Sequence, residues 1–94
     1  MEVFYKSPFK KFVKKQTRSF QLAIEDEVEK ITISPDIATS KKGDLAEFRV
    51  HKFSYGKQTF LISYRFKEAE ILFFTIGPHE NFYRELKKYL KGAG

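Results

Sequence analysis

Apolar residues recur along this chain with two different periods. Phe9, Phe12 and Val13 stand at i, i+3 and i+4, one face of a helix. Phe20, Ala23, Ile24, Val28 and Ile31 hold helical spacing through a longer second segment. From residue 48 the period falls to two. Phe48 and Val50, then Phe60, Ile62, Tyr64 and Phe66, alternate with Glu47, Arg49, His51 and with Leu61, Ser63, Arg65, as half-buried strands do. Ile71-Leu-Phe-Phe-Thr-Ile76 is apolar on both faces, which marks a strand covered on both sides and therefore central. Phe82, Leu86, Tyr89 and Leu90 return to helical spacing.

Local signals set the boundaries. Glu2-Val-Phe-Tyr-Lys6 reads as a short first strand beside the central one. Ser7 is the expected N-cap of the first helix, with Pro8 at its first turn. Thr17 or Ser19 caps the second helix, and Pro35 ends it. Residues 34–44, rich in Ser, Pro, Gly and Lys, read as a loop. Tyr55-Gly56 and Lys67-Glu-Ala-Glu70 mark the turns of a meander, and Gly92 is the expected stop of the last helix. The order strand-helix-helix-strand-strand-strand-helix predicts one α+β domain over residues 1–94. Two N-terminal helices cover one face of a four-stranded, mainly antiparallel sheet, and a short C-terminal helix lies on or near the other.

Pairing Phe53 with Thr59 sets an expected register. Arg49 then faces Ser63, His51 faces Leu61 and Glu47 faces Arg65, all turned away from a core face of Phe48, Val50 and Tyr64. Lys52 falls on the core side, its aliphatic stem covering an edge. His51 nears the end of its strand, and His79 stands just past the end of a strand two places over, about 10 Å away. Both histidines are thus expected at one end of the sheet, with Arg49 and Tyr83 close by.

Composition narrows the partners. Large rings supply the core of these 94 residues, with 11 Phe and 5 Tyr and no Cys. Absence of cysteine removes disulfides and thiolate metal sites. No apolar run approaches the ~20 residues of a membrane helix, and the first residues lack a signal peptide's layout, so a cytoplasmic protein without a membrane partner is expected. The net charge of +6 favours an anionic partner. Lysines crowd the first helix, while Glu25-Asp-Glu-Val-Glu29 is acidic. Two readings stand: solvated helix faces of opposite sign, or a phosphate-facing stripe of Lys10, Lys11 and Lys14, with Lys41 and Lys42 of the loop added.

The ordered set Lys42-Gly-Asp-Leu45, Phe48-Arg-Val-His-Lys-Phe53, Phe60-Leu-Ile-Ser-Tyr-Arg-Phe66 and Gly77-Pro-His-Glu-Asn-Phe-Tyr83, followed by a basic helix, resembles the RelE/ParE superfamily of bacterial toxins. That resemblance implies the toxin of a type II toxin–antitoxin pair, held by an acidic antitoxin. For the ribonuclease branch it implies cleavage of messenger RNA on the ribosome, without cofactor or metal. The site residues it implies are His79, Tyr83, Arg49, Arg65 and His51. The chemistry suits them: histidine serves as acid or base near neutrality, arginine stabilises a phosphorane, and tyrosine stacks on a base or donates its proton. Four also have a plainer role: Tyr83 in packing, Arg65 in an ion pair with Glu47, His79 in a local hydrogen bond, and His51 as a solvated surface residue. Where many ribonuclease members carry an arginine and a later basic residue, this chain has Leu61 and Thr75. A non-enzymatic inhibitor of DNA gyrase, the superfamily's other branch, is the alternative.

Overall fold

The computed structural model describes residues 2–36, 39–41 and 48–93. Their elements are β1 (Glu2–Tyr5), α1 (Ser7–Lys14), α2 (Arg18–Ile33), β2 (Thr39–Lys41), β3 (Phe48–Tyr55), β4 (Gln58–Lys67), β5 (Glu70–Pro78), a 3-10 turn (His79–Asn81) and α3 (Phe82–Ala93). The sheet runs β1-β5-β4-β3-β2. β1 pairs parallel to β5, and the other pairings are antiparallel. The expected α+β class and element order are present. A fifth strand, β2, lies inside the segment read as a loop; its Thr-Ser-Lys has no apolar period, and backbone pairing with the outer edge of β3 makes it a strand.

Two cores sandwich the sheet. On one face Phe9 of α1 and Phe20, Ile24 and Ile31 of α2 pack on Phe53, Phe60, Ile62, Tyr64, Ile71, Phe73 and Ile76. On the other, Phe82 and Leu86 of α3 bury against Val50 and Leu61. The expected stripes of α1, α2 and α3 are those that turn inward; Leu90 lies outside the residues whose side chains are described. Of the two candidate caps for α2, Thr17 is used, its Oγ1 accepting from Phe20 N at 3.3 Å. The N-cap of α1 is Lys6 rather than Ser7, with no side-chain hydrogen bond, because Lys6 still donates its N–H to Phe73 O as the continuation of β1. α3 does not stop at Gly92 but runs to Ala93.

The register differs from expectation by one residue. Phe53 pairs with Phe60, His51 with Ile62 and Arg49 with Tyr64. The cause is the turn: a two-residue Gly56-Lys57 loop closes Tyr55 onto Gln58, and Gly56 takes φ 63°, which only glycine adopts without strain. A one-residue slip flips every side chain. Arg49 and His51 therefore face α2 together with Tyr64, whereas Val50 faces α3.

The second hairpin turn places two non-glycine residues, Glu68 and Ala69, at φ 50° and 64°. A left-handed conformation costs such residues about 1–2 kcal/mol each. Ala69→Gly is therefore expected to stabilise the protein by about 1 kcal/mol, raising Tm by about 4–8 °C in a domain of this size. Calorimetry of the two proteins checks it; an unchanged or lower Tm would mean the turn is not strained.

Candidate functional site

Sequence at the end of β5 dictates a break. Gly77 is buried, and Pro78, at φ −62° and ψ 148°, leads into the 3-10 turn. His79, Glu80 and Asn81 are left exposed. Phe82 and Leu86, a turn apart, anchor α3 on Val50 and Leu61, and Tyr83 packs half-buried at the margin of that cluster. Its ring meets Phe82 edge-on at 5.3 Å. Lys52 pairs with Leu61 and is exposed; strand alternation puts it on the face of Val50, the one that α3 covers. Sequence reasoning did not group Lys52 with this end of the sheet, where Leu61 links it to Gly77. Its position on the Val50 side was legible, but which layer that side met was not.

The remaining candidates do not join this end. His51 Nε2 donates to Glu27 Oε1 of α2 at 2.8 Å, and Arg49 Nη1 reaches Asp36 O beyond α2 at 3.5 Å. Both belong to the layer opposite Tyr83, so the two histidines do not converge as the slipped register implied. Arg65 shares the α3 side, four residues along β4 from Leu61 or ~13 Å away. There its guanidinium lies 5.5 Å from the Phe48 ring centre and 5.7 Å from that of Phe74, in reach of cation–π attraction. Glu47, its expected partner, lies outside the described residues.

The two departures from the ribonuclease pattern are packing positions. Leu61 is 2% exposed beneath α3. Thr75 sits where β4 and β5 shift register; its N–H donates to Ser63 Oγ at 3.0 Å, and the two hydroxyls are 2.6 Å apart. Ser63 thus satisfies a backbone donor that the bulge takes from the ladder.

The expected lysine stripe divides in two. Lys10 and Lys14 border a groove whose far wall is α2, while Lys11 lies on the other flank of α1, facing α3. The backbone of Lys41 is in β2, its side chain is outside the described set, and Lys42 lies outside the described residues.

A family model, the ParE-like toxin of type II bacterial toxin–antitoxin systems, matches residues 3–87. The chain belongs to this family. The toxin's fold also matches solved structures. It superposes on a chain of the intact Escherichia coli RelBE toxin–antitoxin complex with a TM-score of 0.66, at 12% identity over 84% of this chain and 96% of that one. With the isolated E. coli RelE toxin the TM-score is 0.65, at 15% identity over 95% and 97%. No curated protein matches the sequence. Among the described residues no helix is long and apolar enough to cross a membrane.

Inside the toxin, Glu27 ties α2 to the sheet. It accepts from His51 and, through Oε2, from Lys30 Nζ at 2.9 Å. Burial alone would raise its pKa, but the hydrogen bonds from His51 and Lys30 and their charges outweigh that and leave it lowered. A carboxyl more acidic in the folded state than in the unfolded one stabilises the fold above its unfolded pKa of about 4.5. That contribution is lost as pH falls through the folded value. Urea unfolding between pH 7 and pH 3.5 should therefore show a steeper acid loss in the parent than in Glu27→Gln. Identical acid profiles would remove Glu27 from the account.

Proposed function

We propose that this toxin is a ribosome-dependent endoribonuclease that arrests translation by cutting messenger RNA through attack of the 2′-hydroxyl on the adjacent phosphodiester. The observation that carries the proposal is the grouping at the β5–α3 junction. An exposed histidine, a half-buried tyrosine and an exposed lysine belong to one end of the sheet and of the helix that covers it. In this reading His79 exchanges a proton with the attacking or leaving oxygen. Tyr83, held by Phe82, presents ring and hydroxyl to the flanking base. Lys52 balances charge on the phosphorane oxygens. Arg49 and His51 act through α2 rather than on the RNA, and Arg65 meets the substrate backbone farther along the sheet. Lys11 adds phosphate contacts that position without reading sequence.

The toxin acts in the cytoplasm and is restrained there by an acidic antitoxin. The E. coli RelBE chain, solved as part of a toxin–antitoxin complex, and the +6 charge support that partner. Raised salt should weaken the complex by slowing association.

One observation favours a second reading, inhibition of DNA gyrase. Arg49 engages Asp36 beyond α2, and Arg65 lies over aromatic rings away from Tyr83, so neither guanidinium is placed for the phosphorane. Translating ribosomes with mapped transcript ends, run beside a supercoiling assay, separate the two. The ribonuclease reading expects new 5′ ends that need ribosomes, with supercoiling untouched. Intact messages and inhibited supercoiling would replace it with the second.

A further inference from the structure

At the outer edge of β5 the two cores part. β1 pairs with β5 only as far as Tyr5 opposite Phe73, yet β5 runs on to Pro78. Beyond Phe73 that edge has no strand beside it among the described residues. α1 and α3 flank the bare edge from opposite faces and leave a cleft between them. The inner half of the cleft, about 330 Å³, is mainly apolar. Phe12 from one core and Phe82 from the other stand beside Ile76 and Gly77. Its size is at the low end of small-molecule sites, about 300–1,000 Å³. The Thr75 hydroxyl there is engaged by Ser63, which leaves Asn81 and Glu85 as the polar side chains facing a ligand. Asn81 directly precedes α3 and Glu85 stands four residues on, so both rise on the same side of the helix. The outer half continues past Glu85 to Lys11, Lys15 and Lys88, all exposed. Among the described residues neither Glu85 nor these lysines join an ion pair.

We propose that this cleft binds a guanylate unit, with the base in the inner half and the phosphate among the lysines. Three features select that ligand. Phe12 and Phe82 give the inner half aromatic walls, the kind of surface on which a flat base packs. The Glu85 carboxylate can accept two parallel hydrogen bonds. Guanine alone among the RNA bases offers two adjacent donors on its Watson–Crick edge, N1–H and the 2-amino group, and the Asn81 amide then donates to O6. Adenine and cytosine set an acceptor beside their amino group, and uracil offers a single N–H, so each leaves a carboxylate oxygen without a donor. Finally, the outer half sets three ammonium groups against the single carboxylate of Glu85, an excess that a phosphate balances. Pro78 and Asn81, which line the inner half, bracket His79 and Glu80 in the chain, so a bound guanylate lies beside the β5–α3 junction. Binding of the unit does not depend on whether the toxin cuts RNA or inhibits gyrase.

Amide NMR of the full chain, titrated with single nucleotides, tests the proposal. GMP is expected to bind about tenfold tighter than AMP, CMP or UMP, the usual discrimination of one good bidentate base contact. Inosine monophosphate, which lacks the 2-amino group, should fall between. The signals of Ile76, Gly77 and Glu85 should move on binding. Glu85→Gln, at an exposed position, should level the five affinities. Lys11→Gln with Lys88→Gln should instead weaken all five and keep their order. A short deoxyoligonucleotide with one guanine has no 2′-hydroxyl and cannot be cut by 2′-hydroxyl attack, so its binding is read apart from any cleavage. Tighter binding than GMP makes the source a nucleic-acid strand, weaker binding makes it a free nucleotide, and either order keeps the site. Equal affinities in the parent, no binding at millimolar nucleotide, or a guanine preference that survives Glu85→Gln overturns the proposal. So do shifts confined to the lysines, which would reduce the cleft to a phosphate contact.

Discussion

His79→Ala is expected to abolish growth arrest and to lower message cleavage by about 10²–10⁴-fold, the usual cost of removing a proton-transfer group. His79 is exposed on a 3-10 turn and lies in neither core, so the substitution leaves the fold intact and the loss reads as chemistry. His51→Ala is expected to give the contrasting result: lower stability through the lost Glu27 contact, with any cleavage by the folded fraction retained. Tyr83→Phe keeps the packing on Phe82 and removes only the hydroxyl. A drop in rate with unchanged cut sites makes that hydroxyl a proton donor, whereas Tyr83→Ala should shift the cut sites by removing the stacking ring. The readout is growth after induction, mapped 5′ ends and circular dichroism on each variant. Full toxicity of a folded His79→Ala protein would take His79 out of the mechanism.

Leu86→Ala is expected to cost about 2–5 kcal/mol of unfolding free energy, as for other fully buried leucines. Leu86 is 0% exposed and, with Phe82, holds α3 to Val50 and Leu61. That core is small, so a cavity there removes much of what fixes the helix carrying Tyr83. Loss of activity should accompany loss of stability, because a group displaced by about 1 Å no longer serves the reaction. Urea unfolding followed by circular dichroism measures the first effect, and cleavage under strongly native conditions the second. A loss below about 1 kcal/mol would show that α3 is not anchored through Leu86.

Local pattern determined the α+β class, the inward stripes of α1 and α2, the place of β5 inside the sheet rather than at its edge, and the break at Gly77-Pro78. These follow from local physics: 3.6- and 2-residue repeats, proline's fixed φ, and a both-face apolar strand. The polar segment at the end of that strand, with His79 and Tyr83 on it, was legible for the same reason. Tertiary structure decided the rest. The register of β3 on β4 turned on a two-residue loop at Gly56, and that single residue of slip moved Arg49 and His51 to the α2 layer. β2 has no side-chain signal, since backbone pairing with β3 makes it. The lysine stripe divided because α1 is flanked by α2 on one side and α3 on the other, which no repeat along the chain encodes. Sequence states which residues share a face of one element; only packing states what that face meets.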